Sequence, residues 1–429
     1  MATVMTQGWD LVAVATQSLL NELIGAAYND NLFPSNVNTS SGGITFDGSF
    51  GTPTTNLTPP QSSGTSSMAS IEVPISGTLT FSGASHVIPD GSTLLIISNL
   101  QYLSVTLDGT DAVRLYLDFT SQYAIFSVSV NPPQGWVAVL NGMVEYYLQQ
   151  VYKGGSYYLG TVNLEGVPAA VQPVGSIYFA IQANTSNPDS NILALVANTS
   201  TGSAGSLNFM GGPALLPSDQ NAAMYISNRC ILNNMLLPVL ATQLNTTASS
   251  FTVTGSSSTP YNVSLNTSVN LDGEYNPKLT SMNNYVNNNG QIQSDYGAVG
   301  YPVSAFSSLI WINVSGHIYL TPGLSGQTIS FNVDAPSGSG SAALSPGGWA
   351  IVGALIIATF GTLGACVAAV VAIVVPIVVT QLKFNISLSQ VGANIGSAST
   401  SFNWPAASIA PLTGVTLPGD LILYIDPQV

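Results

Sequence analysis

Two histidines, two cysteines and nineteen acidic side chains are the first groups of this 429-residue chain to weigh for acid–base, thiol or metal chemistry. An enzyme needs a positioned acid, base or nucleophile. His86 lies in a Ser/Pro-rich turn, and His317 follows Gly316 in a strand-like segment, so each reads as a structural or solvated histidine. The acids are scattered, as at Asp108 and Asp111. The chain has no GxSxG nucleophile elbow, and no HExxH, paired CxxC, phosphate loop or dinucleotide fingerprint. Asp189, near Asn184 and beside Ser190, matches a weak calcium loop by oxygen count. With Pro188 ahead of it, a plain polar turn is the simpler reading. Cys366 sits in an apolar segment, where a free buried thiol is expected, and two cysteines make no disulfide scaffold. The expectation is a non-enzymatic chain with no catalytic residue, no metal and no cofactor.

Charge narrows the partners. Only 6% of residues are charged, 46% are hydrophobic and the formal net charge is −14. The five cations, Arg114, Lys153, Arg229, Lys278 and Lys383, are dispersed. Phosphate backbones are held by clustered cations, so nucleic acid is excluded as a partner. Docking on anionic lipid is disfavoured for the same reason, and any lipid bound should be neutral or zwitterionic. Met1 to Thr6 has no basic region and Trp9-Asp10 interrupts an early apolar core, so no signal peptide is expected. Cytoplasmic synthesis with non-classical release is the corresponding expectation.

Stepping outward, the strongest element is the run from Trp349 to Leu382, thirty-four residues without a charge. About twenty apolar residues cross a bilayer as a helix; the same run can also be a helix buried on all sides. Gly353, Gly361, Gly364 and Pro376 interrupt it, Lys383 is the only flanking cation, and strand-like text follows at Phe384, Ile386 and Leu388. These features favour a buried helix, or two folded at Gly361–Gly364, over a span. Membrane contact through 349–382 is the rival reading.

Elsewhere helical spacing is expected over Val12–Ala27, with Leu19, Leu20, Leu23 and Ile24 on one stripe and Asp10 as an early cap, and over Met224–Leu240, with Ile231, Leu232, Met235 and Leu236 on one face. Pro238 argues for a bend or stop. Strands are expected at Ile44–Phe50, Ile71–Phe81, Leu103–Leu107 and Val113–Phe119 around Asp108-Gly109, then at Tyr123–Val130, Tyr157–Leu164, Ser176–Gln182, Phe251–Thr254, Leu309–Leu320, Thr328–Val333, Phe384–Leu388 and Leu421–Ile425. Trp136–Tyr152 is ambiguous. The Asn-rich Tyr275–Tyr296 reads as a loop, and Ser337–Gly348 as a Ser/Gly linker.

Four motifs carry a resemblance. Thr6-Gln7-Gly8-Trp9-Asp10-Leu11-Val12, Tyr157-Tyr158-Leu159-Gly160-Thr161-Val162, Tyr225-Ile226-Ser227-Asn228-Arg229 running into Leu236-Leu237-Pro238, and Phe402-Asn403-Trp404-Pro405 occur in this order. They resemble the OrfX-type accessory proteins encoded beside some clostridial neurotoxins, within the tubular lipid-binding (TULIP) superfamily. The resemblance implies an α+β fold, with long helices wrapped by highly curved antiparallel sheets in two pseudo-related halves, 1–215 and 216–429. It implies a protein that holds a lipid or other hydrophobic ligand, or a scaffold in a toxin-associated complex with partners from a toxin-type gene cluster. It transfers no catalytic residues. The candidate ligand-lining residues are Leu19, Leu23, Ile231, Met235, Ile356 and Val370, the alternative for each being a dry core.

Overall fold

The computed structural model describes residues 5–31, 33–58, 68–107, 110–120, 124–130, 135–152, 157–163, 167–184, 186–199, 205–209, 215–256, 259–271, 277–301, 310–334, 337–344, 392–396, 402–403 and 411–427. The run 349–382, with Ile356, Cys366 and Val370, and the strand expected at Phe384–Leu388 therefore lie outside the described residues. The chain divides into two compact units interleaved in sequence. One comprises Trp9–Tyr225, Ser397–Gly414 and Leu423–Val429; the other comprises Met1–Gly8, Ile226–Gly396 and Val415–Ile422.

In the first unit a nine-stranded sheet runs in the order Asn36–Ser41, Ile44–Phe50, Met68–Phe81, Ala84–Leu107, Thr110–Leu117, Tyr157–Asn163, Phe402–Asn403. Thr54–Asn56 and Ile125–Ser129 attach to its long central strands. Every pairing in this sheet is antiparallel. The 24-residue strand Ala84–Leu107 serves two ladders. Up to Asn99 it pairs with Met68–Phe81, and from Leu100 it pairs with Thr110–Leu117. The expected hairpin at Asp108-Gly109 closes with Leu107 opposite Thr110. Leu115, Leu117 and Phe119 are buried and Arg114, Tyr116 and Asp118 are half-buried, so the alternation gives one dry and one wetter face.

A register shift between Ile75 and Gly77 bends Met68–Phe81. Gly77 has φ +144° and is the register partner of Gly48. A Cβ on Gly77 would stand 2.4 Å from the Gly48 Cα, and one on Gly48 would stand 2.3 Å from the Ser76 carbonyl oxygen. The two backbones approach this closely because neither residue has a side chain.

A six-stranded sheet follows the order Tyr178–Gln182, Ile192–Ala197, Leu11–Thr16, Ala222–Ile226, Leu421–Ile425, Leu412–Thr416. Here two helix expectations are corrected. Leu11–Thr16 and Ala222–Ile226 are strands in which every residue is buried. A strand covered on both faces shows a continuous apolar run instead of alternation, which periodicity alone does not separate from a buried helix. Helix α1 (Gln17–Asn29) begins only after Thr16, whose hydroxyl accepts from the Leu19 N–H as an N-cap. It ends at Asp30, where Asn31 turns to φ 61°. Its buried stripe of Leu19, Leu20, Leu23, Ile24 and Ala27 is the one the spacing predicts. The ambiguous Trp136–Tyr152 forms helix α2 (Val137–Val151), burying Leu140, Met143, Val144 and Leu148. It packs against Ile125–Ser129, Asn36–Ser41 and Ile44–Phe50.

The second unit holds an eight-stranded antiparallel sheet: Phe251–Ser256, Thr259–Leu265, Lys278–Val286, Ile292–Gly300, Ile310–Ser325, Thr328–Val333, with Val269–Asn270 and Ser337–Leu344 joining at Lys278–Val286 and Ile310–Ser325. Two further expectations are corrected here. The Asn-rich stretch is a hairpin, because Leu279, Met282, Asn284 and Val286 point inward while the remaining polar residues face outward. Buried Asn284 is satisfied: its Nδ2 donates to the Val263 carbonyl and its Oδ1 accepts from the Ser294 hydroxyl. The Ser/Gly stretch 337–344 is also a strand, laddered to Ile310–His317 through its backbone.

The helical segment of this unit is π-helical over Cys230–Leu236 and becomes helix α3 over Leu237–Gln243. Leu237 N–H donates to the Leu232 carbonyl, five residues back, and Pro238 next to it has no N–H to donate. The widened turn is thus placed beside the residue that cannot continue an α-helical ladder. Long helices are not what the described residues contain: α2 is the longest at fifteen residues, and the architecture is mainly curled antiparallel sheet. Among the described residues no helix is long and apolar enough to cross a membrane.

Candidate functional site

The opening motif is an anchoring device. Thr6 and Met5 donate their N–H groups to Asp420 Oδ2 at 2.9 and 2.7 Å, and Asn228 donates its N–H to Oδ1 at 3.0 Å. Gln7 and Gly8 both have positive φ, 53° and 91°. Trp9 is buried and its Nε1 donates to the Ser206 carbonyl. Asp10, expected as a helix cap, is fully buried and its Oδ2 accepts from the Thr199 N–H and hydroxyl, both at 2.9 Å. Burial pushes the Asp420 carboxyl up, and the three N–H bonds offset that only in part. Both carboxylates are structural acceptors.

The candidate ligand-lining residues divide between the units. Leu19 and Leu23 lie on the buried face of α1, and Ile231 and Met235 on the buried face of the π-helical segment. All four are at most 3% exposed. In the first unit, apolar side chains of the two sheets meet where Val113, Leu115 and Val162 face Ile177, Phe179 and Leu195. The space left there is about 10 Å³, on the order of the room one water needs. That gap is a packed core, with no room for an acyl chain.

A second concavity of the first unit has a different character. A cleft of about 690 Å³ opens where strands of the six-stranded sheet end, at Thr16, Gln182, Ile192 and Asn221. The turn Asn184–Ser190 forms one wall and Leu216–Gln220 another. The calcium-loop candidate falls in that first wall and is a polar turn. Asn184 Oδ1 accepts from the Ser186 and Asn187 N–H groups, Asn187 Nδ2 donates to Ser190 Oγ, and Pro188–Ser190 make a single 3₁₀ turn. No group of three or more His, Cys, Asp or Glu gathers among the described residues.

The two histidines stand in different surroundings. His86 stacks on Phe81 at 4.8 Å and meets Trp136 at 5.5 Å. His317 Nδ1 lies 2.7 Å from Asp295 Oδ1 on the outer face of the eight-stranded sheet. Tyr285 donates to Asp295 Oδ2 and Gln293 to Oδ1. Burial, the hydrogen bond to Asp295 and the charge of that carboxylate push the Tyr285 phenol up to about 12. Burial alone would raise Asp295, but hydrogen bonds from Gln293, His317 and Tyr285 outweigh it and hold the carboxyl below its usual value. The phenol and the carboxyl are shifted in opposite directions, up and down, within a cross-strand ladder of hydrogen bonds.

Curled antiparallel sheets with short helices buried against them place the chain in a class, the mainly β proteins. Within that class its fold is that of P47. The structure of P47 from Clostridium botulinum A2 aligns over 98% of this chain and 98% of that one, with a TM-score of 0.69 and 16% identity. P47 of Clostridium botulinum E1 aligns over 98% and 99%, also at 0.69, with 15% identity. The resemblance to OrfX-type accessory proteins read from the four motifs is borne out at the level of fold. A lipopolysaccharide binding protein overlaps 98% of this chain at 9% identity, but its TM-score of 0.31 is too low to establish a shared fold. No protein-family model matches the chain, and no curated protein matches it in sequence.

Proposed function

We propose that this chain is a non-enzymatic binding protein that holds a lipid or other hydrophobic ligand, or that serves as a scaffold within a toxin-associated complex. The observation that carries this reading is the fold shared with P47 along 98% of both chains. The uncharged run 349–382 supports a hydrophobic ligand, since thirty-four such residues need a partner other than water. In this reading the two TULIP-like halves are 1–215 and 216–429, and Leu19, Leu23, Ile231, Met235, Ile356 and Val370 line the ligand. The ligand is neutral or zwitterionic, and protein partners come from a toxin-type gene cluster. Native mass spectrometry of the purified protein, with organic extraction, tests the ligand. Adduct masses that resolve into lipids support the reading; a protein that stays bare after exposure to zwitterionic micelles overturns the lipid half of it.

The apolar run itself favours one rival, insertion of 349–382 into a bilayer as a membrane-active component. Val370→Asp separates the two. In a protein core it buries an unpaired carboxylate at a cost of several kcal/mol, and the protein aggregates. In a segment that acts only at a membrane, the variant stays soluble and loses vesicle permeabilisation.

A further inference from the structure

The cleft of about 690 Å³ in the first unit is unsuited to the apolar ligand proposed above. Its volume lies within the range of ligand sites, roughly 300–1,000 Å³. Its walls, however, are made of side-chain amides and hydroxyls: Gln182, Asn184, Asn187, Ser218, Gln220 and Asn221. Among the described residues the lining contains one ionisable side chain, Asp189, and no Lys, Arg or His. Phosphate, sulfate and carboxylate groups are recognised by cationic forks and ammonium groups, so an anionic ligand has nothing to bind there.

The walls are held in place before any ligand arrives. Gln182 Nε2 donates to the Phe209 carbonyl at 2.9 Å, and its Oε1 accepts from the Leu215 N–H at 3.2 Å. The turn carrying Asp189 is fixed by the Asn184 and Asn187 hydrogen bonds and by Pro188 at the start of its 3₁₀ turn. On the floor, the Thr16 N–H donates to the Asn221 carbonyl at 2.9 Å. A fixed frame lowers the ordering cost of binding. Into it project Asp189, Ser218 and Gln220, which between them offer two hydroxyl or amide donor–acceptor groups and one strong acceptor. Ile192, Leu216 and Pro217 add a small apolar surface.

We propose that this cleft binds a neutral saccharide. A sugar presents hydroxyls that donate and accept at once, matching amide and hydroxyl walls, and a C–H face that matches the apolar patch. Asp189 accepts from vicinal hydroxyls, and Gln220 and Ser218 bridge to their neighbours. The site is independent of the hydrophobic-ligand reading and stands or falls without it.

The test uses the full chain in titration calorimetry against neutral gluco-, manno- and galacto-oligosaccharides, with sialylated and sulfated oligosaccharides as the charged arm. Binding of at least one neutral series at millimolar concentration or below is expected, with little change between low and high salt. Removing the carboxylate and amide together, in Asp189→Ala with Gln220→Ala, should weaken it about tenfold or more, the equivalent of one lost charge-assisted hydrogen bond. Asp189 is exposed and Gln220 half-buried at the end of a turn, so circular dichroism should show an unchanged fold. Asn313→Ala, exposed on a strand of the other unit, should bind like the parent. The proposal is overturned by no binding of any neutral series, by binding of the charged arm alone, or by full-strength binding in the folded double variant.

Discussion

Asp420 holds three backbone N–H groups, those of Met5, Thr6 and Asn228, with one carboxylate. Asp420→Ala leaves all three without this acceptor in a buried place, and each unsatisfied group costs ~1–3 kcal/mol. The expected loss of stability is several kcal/mol, read as a lower urea midpoint at unchanged slope. Asp420→Asn should cost less: its one carbonyl oxygen can take the Met5 and Thr6 N–H groups, while its NH₂ is turned against that of Asn228. The Tyr285–Asp295–His317 ladder gives a second prediction, in pH. The Tyr285 phenol is raised from 10.0 to about 12 in the folded chain. Between those values the unfolded chain gives up this proton and the folded chain keeps it, so stability falls as pH climbs through that window. Asp295 has the opposite sign: its folded value is depressed, so its contribution is present above the ordinary carboxylate range and lost as pH falls through the folded value. Asp295→Asn should bring the Tyr285 phenol back toward its ordinary value, seen by ultraviolet titration of the phenols. An unmoved titration would show that burial alone sets it.

At the scale of the elements, one close approach is between the strands of Gly48 and Gly77. Gly77→Ala places a methyl group 2.4–2.5 Å from Gly48 Cα and the Asp47 carbonyl oxygen, at a φ that L-residues avoid. A cost of ~1–3 kcal/mol from overpacking is expected, measured by thermal or urea unfolding. Gly83→Ala at the Phe81–Ala84 turn, with open space around its Cβ, isolates the backbone component of that cost. The same contrast explains what the sequence made legible. Hairpins with one wet face were readable because burial follows period two, as in Val113–Phe119 and Thr328–Val333. Leu11–Thr16, Ile192–Ala197 and Ala222–Ile226 were not, because a strand buried on both faces carries no such period. The first and third were folded into expected helices, and Ile192–Ala197 drew no assignment at all. Lys278–Val286 hid behind its asparagines: Asn284 counts as a loop former in sequence and becomes a core residue only once Val263 and Ser294 bond it. The polar cleft was legible only in its Asn184–Ser190 wall, since Thr16, Gln182 and Gln220 meet there through sheet topology.

The whole chain is short of charge in a way that its fold is not obliged to be. Five cations against nineteen acids give −14, which repels an anionic surface within about 10 Å at 0.1 M salt. Affinity for lipid in the proposed binding role must then come from burying acyl chains, at about 0.8 kcal/mol per methylene. The resulting prediction concerns three variables at once: headgroup, salt and chain length. Flotation with phosphatidylcholine vesicles, and capture of zwitterionic lipids of increasing acyl length, should show binding that is nearly constant from low to high salt. Capture should strengthen about fourfold for each added methylene that reaches the protein interior. Vesicles rich in phosphoinositide should bind no better than neutral ones, because each clustered phosphate would need a cation that the chain does not supply. Capture by phosphoinositide vesicles alone, falling away as salt rises, would mean that a local cluster outweighs the net charge. Arg114, Lys153, Arg229, Lys278 and Lys383 would then be the positions to search.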